Sequence, residues 1–314
     1  MPHGQNLTRV ARFLAAVVAG YSAFAAGSQP QPPGLSVAEI ADGVFVHQGA
    51  HADIDDPARS DSANIGFIVG SECVAVIDTG GSVATGIALR TAIAQHTAVR
   101  ICYVINTHVH FDHVLGNAAF IDDEPQFVGH ENLVQAMGGN REFFAEEFPD
   151  ELGPGGADHV ISPTLTVSGE QTLDLGGRTL SIFAHATAHT DTDVTVYDRK
   201  TGTLWTGDLL FMERLPILDG SLKGWLKWMA AARDQDYSRV VPGHGPASAA
   251  WPDAANAQEQ YLSALLSDGR AAIAEGVFLE DAMESMSRES AAPWQLNARH
   301  PRNVSRAYRE LEWE

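Results

Sequence analysis

Apolar residues in this chain fall into short runs whose period shifts between two and helical spacing. Val37-Ala38-Glu39-Ile40 and Val44-Phe45-Val46-His47 alternate on either side of Asp42-Gly43, which predicts a β-hairpin. Asn64–Val69 and Cys73–Asp78 read as the next two strands, joined by a turn at Gly70-Ser71-Glu72. Gly80-Gly81-Ser82 opens a helix to about His96, with Ser82 as its N-cap. Ile101-Cys102-Tyr103-Val104-Ile105-Asn106-Thr107 is an apolar run closed by polar residues and predicts a buried strand. A helix is expected over His113–Phe120, a short strand at Phe127-Val128-Gly129, and helices near Glu131–Met137 and Arg141–Phe148, broken by Gly153–Gly156. Strand character returns at Thr164–Val167, Gln171–Leu175, Thr179–His185, Asp193–Asp198 and Thr203–Thr206. A helix over Ser221–Arg233, a strand at Val240-Val241 and a helical tail over Asp253–Met286 follow. Strand runs with helices in both halves predict an α/β fold: two sheets packed face to face, with helices outside.

Composition narrows this picture. A chain of 314 residues with 45% hydrophobic residues can build one large α/β core. We expect a single domain over residues 36–314, after a Pro-rich linker over 27–35. The net charge of −20 argues against nucleic acid or an anionic lipid surface as partner. Arg9 and Arg12 precede an apolar stretch from Phe13 to Ala26 that contains the small-residue site Ala23-Phe24-Ala25. This is the pattern of a secretory signal over residues 1–26, too short to span a bilayer comfortably, and it predicts a periplasmic or secreted protein with no membrane attachment after cleavage. Cys73 and Cys102 allow one disulfide, which requires their strands to be parallel neighbours ending level. Bridging adjacent parallel strands strains the geometry, so two buried thiols are the expectation.

The chemistry lies just after the Ile101 run. His108-Val109-His110-Phe111-Asp112-His113 places four metal-ligating side chains in six residues, where a strand ends and a helix begins. In extended chain His108 and His110 point to one side, and the turn at Phe111-Asp112 lets Asp112 and His113 face a second position. Imidazole with carboxylate suits zinc, iron or manganese. Three further candidates each follow a strand: His189 in Ala188-His189-Thr190, Asp208 in Thr206-Gly207-Asp208, and His244 in Val241-Pro242-Gly243-His244-Gly245. Singly, each is as readily a loop or turn residue. Arg214 and Lys223, beyond Asp208, are candidates to hold an anionic substrate; Trp225 and Trp228 stand at helical spacing and read as core. Thr190 and Asp193 read as residues that orient the His189 loop, and His130 as a residue behind the ligands.

Taken in order, Val76-Ile77-Asp78-Thr79-Gly80, the His108–His113 cluster, His189, Asp208 and His244 resemble the motif set of the metallo-β-lactamase superfamily. That resemblance implies a four-layer αββα sandwich. It implies that His108, His110 and His189 bind one metal, that Asp112, His113 and His244 bind a second, and that Asp208 bridges them. Asp78 would then support the ligand loop from behind. Asn64-Ile65-Gly66-Phe67, Gly207-Asp208-Leu209-Leu210-Phe211, Leu218-Asp219-Gly220-Ser221, His300-Pro301-Arg302-Asn303 and Glu310-Leu311-Glu312-Trp313-Glu314 are similar to the branch called quinoprotein relay system zinc metallohydrolases, related to sulfur-oxidation-associated metallohydrolases. This implies a setting beside periplasmic quinoprotein dehydrogenases and pyrroloquinoline quinone.

The expected cofactor is a pair of Zn(2+) ions, with iron or manganese as alternatives. Such a pair lowers the pKa of a shared water toward about 7 and turns it into a nucleophile. Asp112 would serve both as ligand and as acceptor for that nucleophile's proton. His110 stands where oxygen- or nitric oxide-reducing di-iron relatives resemble one another in carrying Glu, which favours hydrolysis. The reading is therefore an exported dinuclear zinc hydrolase acting on a small-molecule ester, thioester, lactone or related bond. Two alternatives stay open: an iron-dependent sulfur-handling oxygenase on the same scaffold, and a non-catalytic accessory protein for quinoproteins.

Overall fold

The computed structural model describes Met1 and residues 34–314, and residues 34–314 belong to one compact unit. The signal segment over 1–26 and most of the linker lie outside the described residues. Among the described residues no helix is long and apolar enough to cross a membrane.

The first sheet has seven strands in chain order: β1 (Ala38–Ala41), β2 (Val44–His47), β3 (Ile65–Val69), β4 (Val74–Ile77), β5 (Ile101–Ile105), β6 (Gln126–His130) and β7 (Leu165–Val167). It is antiparallel through β4 and parallel from β4 to β7. The switch to parallel pairing requires a crossover, supplied by α1 (Val83–His96), whose first turn is capped by the Ser82 side chain accepting from Thr85 N at 3.0 Å. The second sheet pairs β8 (Glu170–Asp174), β9 (Thr179–Ala184), β10 (Val194–Asp198), β11 (Thr203–Phe211) and β12 (Arg239–His244) in that spatial order, with only β11 and β12 parallel.

Alternation along β4 shows how the layers stack. Ala75 and Ile77 face Ile182, Val196 and Trp205 of the second sheet, while Val74 and Val76 face Leu89, Ile93 and Phe120 on the helical side. The outer face of the second sheet packs Leu204 and Leu210 against Trp225, Tyr261, Leu265 and Val304 from the helices that follow it. The expected αββα sandwich is therefore present. Between β6 and β7 lie α2's later neighbours in the chain: after α2 (Phe111–Val114) come α3 (Leu133–Gly139), α4 (Arg141–Glu147) and α5 (Pro149–Leu152), with their own small core around Leu133, Met137, Phe144 and Phe148. The C-terminal half adds α6 (Leu222–Arg233), α7 (Asn256–Glu275), α8 (Leu279–Ser285), α9 (Arg288–Ala291) and α10 (His300–Leu311).

Three expectations need correction. Cys73 and Cys102 form a disulfide rather than two thiols, with Cα atoms 5.5 Å apart. The register between β4 and β5 slips by one residue after Val74↔Ile101, so Cys102 is the extra residue and lies within reach of Cys73. The helix expected over His113–Phe120 is two pieces, α2 and a 3-10 segment over Asn117–Asp123, parted at Gly116. A Cβ at Gly116 would lie 2.0 Å from the Thr79 carbonyl oxygen, so the chain there packs backbone on backbone. Finally, the strand expected to stop at Thr206 runs on to Phe211, with its register to β12 shifting around Gly207.

Candidate metal centre

The seven predicted ligands converge at one edge of the sandwich, where β5, β11 and β12 end or bend. Asp78, directly after β4, holds the ligand turn in place. Its carboxylate accepts from Thr107 N at 2.8 Å, Thr107 Oγ1 at 2.7 Å and His113 Nδ1 at 2.8 Å. Its backbone takes φ 53°, a left-handed conformation that Asp tolerates better than most residues. Gly207 (φ 50°) lets β11 bend past Thr107, since a Cβ there would lie 2.6 Å from the threonine side chain. Gly243 leaves room for Asp208 itself: a Cβ there would fall 2.0 Å from Oδ1.

Each of the five histidines has one ring nitrogen turned outward to a fixed acceptor. His113 Nδ1 meets Asp78, His110 Nε2 meets Asp219 Oδ2 at 2.9 Å, His189 Nδ1 meets the Ile217 carbonyl at 2.7 Å, and His244 Nδ1 meets the Ser62 carbonyl at 2.8 Å. His108 Nδ1 meets Thr107 Oγ1 at 3.1 Å, and that hydroxyl's own proton goes to Asp78. The outward nitrogen must therefore donate, and the inward nitrogen carries a lone pair.

Those lone pairs face one another and two carboxylates. His110 Nδ1 and His189 Nε2 are 3.0 Å apart. Asp208 Oδ2 lies 3.6, 3.4 and 3.3 Å from the Nε2 atoms of His108, His189 and His244, while its Oδ1 lies 3.1 Å from His113 Nε2. Among the described residues, His108 Nε2, His113 Nε2 and Asp208 Oδ1 are buried without a hydrogen-bond partner. Buried acceptors aimed at each other repel unless a cation lies between them. The inward atoms fall into two groups, His108, His110, His189 and Asp208, and Asp112, His113 and His244, each within 4.8 Å internally. The donor set fits divalent metal, and Asp208 touches both groups, as a bridging residue must.

The electrostatics agree. Burial holds His108 well below the usual histidine range and takes His189 down to about 3, so both stay neutral, the form that ligates. Burial also opposes charge on His113, but Asp208 and Asp78 raise it well above that range. So much negative charge surrounds this point that it attracts a positive one, proton or metal. Asp112 Oδ2 accepts from Ser62 Oγ at 2.6 Å, which fixes its carboxylate against the cavity.

Replacing Asp78 with alanine removes the one group that orders Thr107 and His113 together. Metal affinity in that variant is expected to fall about tenfold to hundredfold, measured by competition with a chromogenic chelator; unchanged affinity would show that the ligand turn holds its own shape.

Other predicted residues sort clearly. Arg214 lines the cavity beside the ligands, its Nη1 3.1 Å from His244 Nδ1. Because that nitrogen donates to the Ser62 carbonyl, it offers Arg214 no acceptor, and Arg214 Nε is also buried without a partner among the described residues. Lys223, expected beside the substrate, instead pairs with Glu314 at 3.0 Å and does not line this cavity. Trp225 is core, its Nε1 donating to the Leu209 carbonyl at 2.9 Å. Thr190 and Asp193 close the His189 loop on itself, with Asp193 accepting from Thr190 N at 2.9 Å. Burial pushes the Asp193 carboxyl up to about 7. His130 accepts from Asn132 N and touches no ligand.

Ser62, Asp219 and Arg302 were not singled out for this site by the sequence reading. Asp219 stands 109 positions from His110 and is itself held by Arg302 of α10. The only sequence signal for the pair was its place in two of the short motifs quoted above.

A profile described as Metallo-beta-lactamase superfamily matches residues 58–244, which spans every ligand. The chain belongs to the metallo-β-lactamase superfamily. Among curated proteins it is 27% identical over 215 residues to the acyl-coenzyme A thioesterase MBLAC2 of Bos taurus, covering 58% of this chain and 72% of that protein. Among solved structures it resembles a metallo-beta-lactamase from Pontibacter korlensis, with a TM-score of 0.59 and 20% identity over 73% of this chain and 99% of that one. It also resembles the metallo-beta-lactamase DIM-1, with a TM-score of 0.57 and 17% identity over 74% of this chain and 98% of that one. The structural likenesses establish the fold. Superfamily membership and a thioesterase relative make this metallo-β-lactamase-fold protein a metal-dependent hydrolase.

Proposed function

We propose that this chain is a dinuclear zinc hydrolase that cleaves a small ester or thioester. One observation carries the reading: five outward N–H groups are committed to protein acceptors, leaving five inward lone pairs and two carboxylates around one point. His108, His110 and His189 would hold one ion, Asp112, His113 and His244 the other, with Asp208 between. Nitrogen and oxygen donors without sulfur are compatible with zinc. When bound, such a pair supplies a low-pKa water and polarises the carbonyl under attack.

The rest falls to the chain's own side chains. Ser62 orients Asp112 so that its carboxylate can accept the proton of the attacking water. Arg214, which lines the cavity and has no acceptor for its Nε among the described residues, would meet negative charge on the substrate. A thioester is favoured because the curated relative is named a thioesterase. Export remains part of the proposal: the N-terminal Arg9–Ala26 pattern and the Cys73–Cys102 disulfide both suit an oxidising compartment. A quinoprotein setting rests on the short motifs alone.

A panel of esters, thioesters, lactones and β-lactams, each run beside a chelator-treated control, tests this. Turnover of a thioester or ester that chelation abolishes and zinc restores is expected. Iron in the native protein with oxygen uptake on a persulfide would replace hydrolysis with oxygenation. Absence of any turnover, together with specific binding to a quinoprotein, would make the chain an accessory factor.

A further inference from the structure

The cavity at the ligands has a volume of about 370 Å³ and one wall made of phenylalanines. They form a continuous aromatic run. Phe111, between the ligands His110 and Asp112, stacks on Phe148 with ring centroids 4.6 Å apart and planes 13° from parallel. Phe148 is followed by Phe144 at 6.3 Å, and Phe144 by Phe143 at 5.9 Å. Arg59 lies over Phe148, 5.1 Å from its centroid. Phe144 and Phe148 are buried, but Phe143 is 54% exposed at the cavity's edge. Ile54, 40% exposed, and Leu296 come to the same cavity from other parts of the chain. Large apolar side chains left open around a concave site mark a surface that a ligand completes.

We propose that this run is the subsite for the substrate's acyl group, and that the group is an apolar chain of several carbons rather than acetyl. The inference rests on the hydrolase reading above and names its substrate class. A carbonyl at the ligands would have its acyl chain start at Phe111 and lie along Phe148 and Phe144 toward Phe143. The opposite group of the substrate, the alcohol or thiol, faces the more polar side near Arg214. The cavity is at the small end for drug-sized ligands, which suits a chain near eight carbons better than a long lipid. Each methylene fully buried there is worth about fourfold in affinity.

The test is calorimetric binding of octanoate and acetate, the acids that hydrolysis would release, to the zinc-loaded protein. It needs no turnover, so it can fail while the hydrolase reading stands, and it can succeed even where the substrate panel fails. Octanoate is expected to bind at least about thirtyfold tighter than acetate. In Phe143→Ala that ratio should drop by at least about fivefold. Ile54→Ser, at another point of the same cavity's lining, should lower it as well, and because both side chains are exposed neither change empties the core. Equal affinity for the two acids, no saturable octanoate binding, or a ratio untouched by both substitutions would overturn the proposal.

Discussion

Asp208→Ala is expected to bind one metal ion in place of two and to lose at least about two orders of magnitude in hydrolysis. That is at or beyond the top of the roughly tenfold to hundredfold range for a residue that only supports a ligand. Its two oxygens reach both groups of the site: Oδ1 lies near His113 and Oδ2 near His244 of one group, and Oδ2 also lies near His108 and His189 of the other. Without it, two cations would repel across the gap with no anion between them, and the weaker one leaves. Gly243 packs backbone against this carboxylate, so alanine at position 208 opens space and strains nothing. Far-UV circular dichroism should be unchanged. Two ions held as tightly as in the parent chain would contradict the bridging role.

A second large effect lies far from the ligands. Arg178→Ala is expected to destabilise the fold by about 3–5 kcal/mol, lowering Tm on the order of 10 °C for a domain of this size. Arg178 and Asp198 are both buried, and they pair through two bonds, Nε to Oδ1 at 3.1 Å and Nη2 to Oδ2 at 2.7 Å. The same guanidinium donates to the Val69 carbonyl at 2.8 Å, so it ties the second sheet to β3 of the first. Removing it leaves a buried carboxylate without its countercharge, held among the described residues only by the Thr201 hydroxyl and the backbone N–H groups of Lys200 and Thr201. Burial works to raise Asp198, but the bonds from Arg178 and Thr201 outweigh it and hold the carboxyl below its usual range. A depressed carboxyl contributes stability that is complete above its unfolded value and lost as pH falls through the folded one. The parent chain should therefore keep this contribution at neutral pH and lose it only in acid, below about pH 4. Replacing both partners with apolar residues, Arg178→Met with Asp198→Leu, should recover much of the loss. A melting temperature for Arg178→Ala within a degree or two of the parent would show that the pair contributes nothing net.

The seven residues that converge at the candidate metal centre were legible in the sequence because their signal is local. Four of the seven lie in one hexapeptide, and the other three each come soon after a short apolar run. What supports them was not legible. Asp219 reaches His110 across 109 positions and Ser62 reaches Asp112 across 50, and nothing in their own neighbourhoods ties either to its partner. The aromatic run joins Phe111 to a helical insertion between β6 and β7, and only packing shows that α4 and α5 fold back over the ligand turn. Lys223 looked available because its neighbours border the cleft, yet it lies on α6 and pairs with the C-terminal Glu314. The disulfide depended on a one-residue register slip, which no run of apolar residues encodes. β11 seemed to end at Thr206 because Gly207 and Asp208 interrupt its apolar pattern, although the strand bends there and continues. The interruption is the functional feature: the bend brings Asp208 to the centre.

The most direct measurement is metal stoichiometry of the purified chain by elemental analysis, paired with activity before and after chelation. The account predicts two zinc ions per chain at saturation and hydrolysis that disappears and returns with them. A chain that takes up no divalent ion, or one whose hydrolysis survives complete chelation, would contradict it.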